Sequence, residues 1–337
     1  MDKDALQHIA DGISDIFRTE FVYNNCREVP HYNDSNLTFE YGETKKGKKI
    51  KTCVLYADLR NSVKLSARHS EETMGKIYTS FVKSVIWCAE SHNGIVRNII
   101  GDRVMVVFNI DHCFSNAVNC AISINCAING ILNRKKPEDI RCGIGIDYGE
   151  MSVIKSGIFK KSEESSTYKG LVWIGRPANI ASRLTDIANK EIKEVYYDVT
   201  KKVENPKAFG QPIHGLFPFG QLFLGNFKRN SNEPLYLDIK ENVRWTPEQF
   251  AENVHQHSDG KIFFTGGVIS FEKKEDTIQN APILMTKEVF NGYKDENPCL
   301  FPHEYKYWVE QKVKVRDYND KIFGGTVVWD ALNKVKY

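Results

Sequence analysis

Two apolar patterns organise this chain. Val54-Leu55-Tyr56-Ala57 is a continuous apolar run that ends on Asp58, the signature of a buried strand with an acid at its C-terminal end. Met74, Ile77, Tyr78, Phe81, Val82, Val85, Ile86 and Ala89 then recur at three- and four-residue steps, and Gly94 follows as a stop. That spacing predicts a helix. Ile99-Ile100-Gly101-Asp102 runs straight into Val104-Met105-Val106-Val107-Phe108, which predicts a hairpin with an acid in its turn. Strand, helix, hairpin is the first half of a ferredoxin-like unit. It places Asp58 and Asp102 on neighbouring strands at one edge of a sheet. Two carboxylates there can hold a pair of divalent cations about 3.5–4 Å apart, as in-line phosphoryl transfer often uses. Taken singly, each aspartate reads as an ordinary turn or capping residue. The pair framing one helix is what points to chemistry.

The flanking segments extend the pattern. Residues 3–20 predict an amphipathic helix with Leu6, Ile9, Ile13 and Phe17 on one face. The polar stretch 24–50 ends in Lys45-Lys46-Gly47-Lys48-Lys49, read as a solvated loop, with triphosphate steering as the alternative. Leu59-Arg60-Asn61-Ser62-Val63 is a short turn whose backbone N–H groups are placed to cradle phosphates if a helix starts there. A second amphipathic helix is expected over Phe114 to Leu132. A strand at Ile140–Ile146 is expected to turn through Asp147-Tyr148-Gly149-Glu150 into Met151–Ile154, followed by a polar insertion over 157–169. In Trp173-Ile174-Gly175-Arg176-Pro177-Ala178-Asn179-Ile180-Ala181-Ser182-Arg183-Leu184, Pro177 suits a first helical turn. Asn179 and Arg183 then share a helix face one turn apart, beside small residues that permit close packing. Leu222–Phe227 and Leu235–Ile239 read as strands around Lys228 and Arg229. A boundary is expected near 240–246, and the last stretch is aromatic-rich and strand-like. Trp245, Trp308 and Trp329 there either line a ligand pocket or pack in a core.

Composition narrows the class. The chain has 337 residues with 46 Lys plus Arg against 43 Asp plus Glu, a net charge of +3. That is long enough for two domains and too weakly basic to argue for nucleic acid or a membrane surface. No apolar run approaches the roughly 20 residues a membrane span needs, and Met1-Asp2-Lys3-Asp4 does not read as a signal peptide. The eight cysteines form no C-x-x-C pair. They read as reduced cysteines of a cytoplasmic protein.

Tyr56-Ala57-Asp58, Ile100-Gly101-Asp102 and Gly175–Leu184, in this order and at this spacing, resemble the class III nucleotidyl cyclase signature over roughly residues 50–240. The resemblance implies an α/β (α+β) fold, a ferredoxin-like cyclase sandwich working as a head-to-tail homodimer. The organisation expected with it is an N-terminal helix and linker over 1–49, a catalytic domain over 50–240, and a small β-rich sensor or regulatory domain over 245–337. It further implies that Asp58, the Leu59 carbonyl and Asp102 hold two Mn²⁺ or Mg²⁺ ions. Asn179 and Arg183 would come from the partner protomer and stabilise the pentavalent phosphorus. The reaction implied is attack of the ribose 3′-oxygen on the α-phosphorus with loss of pyrophosphate. A metal would lower the pKa of the attacking hydroxyl, and an Arg placed where charge develops favours the transition state.

Departures from the family pattern carry the specificity reading. Purine cyclases read the base four residues before the second metal aspartate and seven before the helix asparagine. Those positions hold Asn98 and Val172 here. Asn both donates and accepts and suits a pyrimidine edge; Val172 offers no hydrogen bond. Tyr56 is either a wall of that pocket or a core strand residue. Arg60, Asn61 and Ser62, with Lys228 or Arg229, are the candidate triphosphate contacts. The chain thus resembles stand-alone bacterial cyclases that make cyclic UMP or cyclic CMP in anti-phage signalling, upstream of a cyclic-nucleotide-binding effector. Uracil and cytosine are not distinguished. The alternatives are a purine cyclase with an altered pocket and a non-catalytic nucleotide-binding regulator.

Overall fold

The computed structural model describes residues 2–39, 44–135, 140–160, 163–208, 232–299 and 304–335. Helix α1 (Lys3–Arg18) is capped by Asp2, whose carboxylate accepts a hydrogen bond from the Ala5 N–H. Then come β1 (Glu20–Asn25), β2 (Thr44–Leu59), α2 (Ser62–Arg68), α3 (Glu71–Ser91), β3 (Gly94–Ile100), β4 (Arg103–Phe108) and α4 (Cys113–Asn125). Helix α4 continues as a π-helical stretch, Cys126–Leu132, into α5 (Asn133–Lys135); β5 (Cys142–Lys160), β6 (Glu163–Ile174) and α6 (Arg176–Ile187) follow. The predicted half-unit is present. Strands β5-β2-β4-β3 lie side by side, each antiparallel to its neighbour, which is the ferredoxin-like order.

Alternation along the strands divides the core into two layers. Cys53, Leu55, Ala57, Val104, Val106, Phe108, Ile144 and Ile146 face α3 and α4, whose Phe81, Val85, Ala117 and Val118 are completely buried. Val54, Met105, Val107, Met151 and Val153 face the other way and meet Ala178 and Ala181 of α6. By this period-2 alternation, Tyr56 and Asp58 lie on the α6 side. Burying this much apolar surface at about 25 cal/mol per Å² is the main force that fixes the sheet and thereby its edge.

Several sequence expectations are revised. The Lys45–Lys49 run is not a loop. It lies in β2, where Lys45 is 3% exposed, and β1 pairs parallel to it. Asp147–Glu150 is not a turn either. Strand β5 runs through it, because Asp147–Glu150 is laddered against β2 from Val54 to Lys51. The stretch read as a polar insertion carries the β5–β6 ladder, with Phe159 opposite Glu164 and Gly157 opposite Lys169.

The compact units also differ from the expected boundary near 240–246. One comprises Met1–Lys190 with Gln279–Tyr337, the other Glu191–Ile278. The second unit holds β7 (Glu191–Glu204), β8 (Tyr236–Trp245), α7 (Pro247–Glu252), β9 (Val254–Gln256), β10 (Ile262–Phe264) and β11 (Val268–Gln279). Its sheet runs β11-β7-β8, and Tyr197 stacks on Phe250 with ring centroids 3.9 Å apart. Thereafter the chain returns to the first unit. Strand β12 (Ile283–Thr286), wholly buried, pairs parallel to β5; a four-residue apolar strand satisfies its backbone only inside such a sheet. Helix α8 (Lys287–Glu296), β13 (Val309–Gln311) and β14 (Ile322–Gly325) complete the sheet in the order β13-β14-β12-β5. Trp308 is 3% exposed and sits in the core, whereas Trp329 is 39% exposed and donates from Nε1 to Ser123 Oγ. The cysteines are free thiols, Cys299 exposed and most others buried.

Candidate active site

The edge where β2 ends and β4 begins gathers the predicted metal ligands. Asp58 pairs in register with Arg103, and the Leu59 N–H donates to the Asp102 carbonyl at 3.2 Å. The hairpin turn therefore lies directly beside the end of β2, with Gly101 at φ +60. That left-handed conformation costs a glycine little. Asp58 is 9% exposed. Burial pushes its carboxyl up from the ordinary value; Arg103 acts against that shift, and the nearby Asp102 charge adds to it.

Arg103 was not singled out from the sequence. Its Nη2 donates to Asp58 Oδ2 at 2.9 Å and to Asp186, and its Nη1 donates to Ser182 Oγ at 2.9 Å. It thus ties the β2 carboxylate to two residues of α6. The signal available was a cation immediately after the hairpin acid, but its partner on α6 is 83 residues away. Burial alone would drive the guanidinium pKa down, yet these two carboxylates raise it.

Arg60 does not face outward as a phosphate contact. Its side chain is 7% exposed, Nε donates to the Ala188 carbonyl at 2.8 Å, and Nη1 lies 3.6 Å from Asp58 Oδ2. Arg60 buttresses Asp58 from within. Asn61, at φ 58, caps the seven-residue α2 without a side-chain cap bond, and Ser62 opens that helix. Lys228 and Arg229 lie outside the described residues.

Helix α6 reaches the sheet because β5 presents glycine to it. A Cβ at Gly145 would lie 2.3 Å from the Ala181 carbonyl oxygen and 2.5 Å from the Thr185 nitrogen. Thr185 Oγ1 donates to the Ala181 and Tyr56 carbonyls, fastening the helix beside β2. Pro177 lies in the first turn, as read from the sequence. Asn179 is exposed. Arg183 donates from Nη1 to the Arg316 carbonyl and to Asp317 Oδ2, each at 2.6 Å. Among the described residues, no hydrogen bond or ion pair joins Asn179 or Arg183 to Asp58 or Asp102 in the same chain.

The candidate base readers are arranged by a bulge. The β3–β4 register shifts between Val96 and Asn98, so that Asn98 faces Met105, which in turn faces Tyr56 on β2. Directly paired residues share a sheet face. Tyr56, Met105 and Asn98 therefore form one row on the α6 side, the side that also carries Asp58. Without the bulge Arg97 would hold that place, since a slip of one residue exchanges the faces. Val172, on β6, is 43% exposed. Tyr56 is half-buried, and burial pushes its phenol pKa up.

The donor set is two carboxylates and a main-chain carbonyl, all hard oxygens. Such a set suits Mg²⁺ or Mn²⁺, which are commonly held by one or two carboxylates with the remaining positions filled by water and substrate phosphate. The buried Asp58 carboxylate is already faced by two guanidinium groups, Arg60 and Arg103, so a cation bound there would share its charge with them.

No family model matches the chain. By sequence it is similar to a uridylate cyclase of Burkholderia cepacia, 28% identical over 201 residues that cover 57% of this chain and 83% of that protein. It is also similar to a uridylate cyclase of Gulbenkiania mobilis, 27% identical over 245 residues, 64% of this chain and 90% of that protein. Among solved structures, the adenylyl cyclase CyaB from P. aeruginosa overlays with a TM-score of 0.45 at 14% identity, covering 82% of this chain and 94% of that one. The ordered motifs and the ferredoxin-like sheet that carries them thus occur in a chain that is similar in sequence to uridylate cyclases.

Proposed function

We propose that this protein is a metal-dependent pyrimidine nucleotidyl cyclase that converts UTP to cyclic UMP and pyrophosphate. One observation carries the reading. Asp58, Leu59 and Asp102 converge at one sheet edge, in a chain whose sequence relatives are uridylate cyclases. The 3′-oxygen of the ribose forms a bond to the α-phosphorus, the bond from that phosphorus to the bridging oxygen breaks, and the hydroxyl proton is released. Two divalent cations at Asp58, Leu59 and Asp102 would lower the hydroxyl pKa and offset the triphosphate charge.

The remaining roles belong to the chain's own side chains. Asn179 orients the ribose and Arg183 supports charge on the pentavalent phosphorus, both supplied by the partner in a head-to-tail homodimer. The exposure of Asn98, Val172 and Asn179 in the single chain supports a site completed by a second copy. Asn61 and Ser62 remain the proposed triphosphate contacts in the described chain. Asn98 in one row with Tyr56 supports reading of a small base by an amide. Val172 would leave a purine amino group unpaired, which costs on the order of 1–3 kcal/mol. An amide rotates to face uracil or cytosine alike, so the choice of uracil rests on the relatives. The cyclic nucleotide would serve as a second messenger in cytoplasmic anti-phage defence, read by a cyclic-nucleotide-binding effector.

Incubation of the pure protein with ATP, GTP, CTP or UTP and Mn²⁺ tests the reading. UTP should show a kcat/KM at least about tenfold above ATP and GTP, the ratio given by roughly 1.4 kcal/mol. A preference for a purine would overturn the specificity, and no cyclisation of any nucleotide would overturn the enzyme.

A further inference from the structure

The C-terminal return of the chain ends in a tight turn against α6. The Tyr318 N–H donates to the Val315 carbonyl at 3.2 Å, and Arg316 and Asp317 form the tip, with Asp317 at φ +62. Asp tolerates this left-handed conformation better than most residues. Val315 and Tyr318, on either side of the tip, are 6% and 5% exposed and pack with Ile180 and Leu184 of α6. The Tyr318 hydroxyl accepts from the Lys287 N–H at 3.0 Å and donates to Glu288 Oε2 at 2.9 Å, both on α8. Arg176 of α6 lies over the Tyr318 ring, 5.4 Å from its centroid. The turn is therefore bolted to α6 and α8 on both flanks, and its tip meets Arg183.

The contact leaves Arg183 with one defined working edge. A guanidinium has five N–H donors in a rigid fork. The two on Nη1 are engaged by the Arg316 carbonyl and Asp317 Oδ2. Among the described residues the Nε and Nη2 donors have no hydrogen-bond partner; they lie side by side, and that edge suits two oxygens of one phosphate. A long side chain that is 34% exposed would otherwise sample many rotamers and lose entropy on each encounter.

We infer that Asp317 is a positioning residue for cyclisation, which with the Arg316 carbonyl seats Arg183 so that its Nε–Nη2 edge is presented to the phosphorus. The inference rests on the reading of Arg183 as the transition-state cation. It gives the C-terminal segment a part in the reaction that no motif in it announces. The hydrogen bond from Arg183 also holds the Asp317 carboxyl below the usual range.

Asp317→Ala should lower kcat about tenfold or more with KM within about threefold, because a misaimed cation is felt where charge develops. Asp317→Asn keeps an acceptor oxygen and should recover most of the loss. Mixed dimers separate positioning from general damage. When Asp58→Ala and Arg183→Ala chains are combined, the one complete site takes its Arg183 from the Asp58→Ala chain. Adding Asp317→Ala to that chain should lower the regained activity about tenfold or more, while adding it to the Arg183→Ala chain should leave that activity intact. Equal losses in both placements, an unchanged rate, or a faster enzyme would each overturn the inference. If Arg183→Ala alone stays active, the fault lies with the underlying assignment of Arg183.

Discussion

Gly145→Ala probes the contact that sets α6 against the sheet. The added methyl would stand 2.3 Å from the Ala181 carbonyl oxygen and 2.5 Å from the Thr185 nitrogen, whereas ordinary contact begins at 3.4 Å. Both neighbours are backbone atoms of the helix, so no side chain can rotate away. Helix α6 must lift by about 1 Å, and a displacement of that size at catalytic groups costs on the order of a hundredfold in rate. Overpacking itself costs about 1–3 kcal/mol, which leaves a domain of this size folded. The Gly145→Ala protein should thus remain cooperative in thermal unfolding, with a Tm a few degrees lower, yet turn over about a hundredfold more slowly. Gly75→Ala in α3, where a Cβ meets nothing within 4 Å, is the control and should keep its activity. It should gain about 0.5–1 kcal/mol of stability from the helix-forming preference of alanine. If Gly145→Ala cyclises within threefold of the parent rate, the close approach of α6 is not what organises the site.

Other expectations follow from the same geometry. Asp58→Ala and Asp102→Ala should each lose at least about a hundredfold in turnover while staying folded, because each would remove a proposed charged metal ligand; near-normal turnover at saturating Mn²⁺ would refute the assignment. Arg103→Ala leaves Arg60 as the one cation paired with Asp58 among the described residues, so Mn²⁺ should raise its Tm more than it raises that of the parent. An equal rise would show that Arg103 does not compensate the Asp58 charge. Asp147, 3% exposed and accepting from Thr286 Oγ1 at 2.7 Å, has its pKa pushed by burial from 3.8 to about 6. Unfolding lets it ionise more readily, so its contribution to stability is lost as pH rises between those values. Asp147→Asn should gain on the parent by about 2–3 kcal/mol between pH ~4 and ~7 in urea titrations, and parallel stability curves would contradict this.

Where local pattern and tertiary demand agreed, the chain was readable. Val54–Ala57 before Asp58, and Gly101-Asp102 before an apolar run, state both the strand ends and the acids on them. The 3- and 4-residue spacing of Met74 to Ala89 states the helix between. Legibility failed where a ladder overrode a local signal. Asp147-Tyr148-Gly149-Glu150 has turn composition, but hydrogen bonds to β2 hold it extended. Ile283–Thr286 is too short to announce itself as a central strand. The facing of Asn98 depends on a bulge with no sequence mark of its own. Arg103 and Asp317 escaped notice because each acquires its meaning from a residue about 80 or more positions away.

We propose that this edge of the sheet cyclises a pyrimidine nucleotide in a site shared between two chains. The most direct measurement is the rate of cyclic nucleotide formation by an Asp58→Ala and Arg183→Ala mixture, with UTP and Mn²⁺ and with subunit exchange verified independently. Each variant alone should be nearly inactive, and the mixture should form cyclic UMP at a substantial fraction of the parent rate, since one of the two sites in each mixed dimer holds both intact halves. Failure to regain cyclic UMP formation in a fully exchanged mixture would contradict the account.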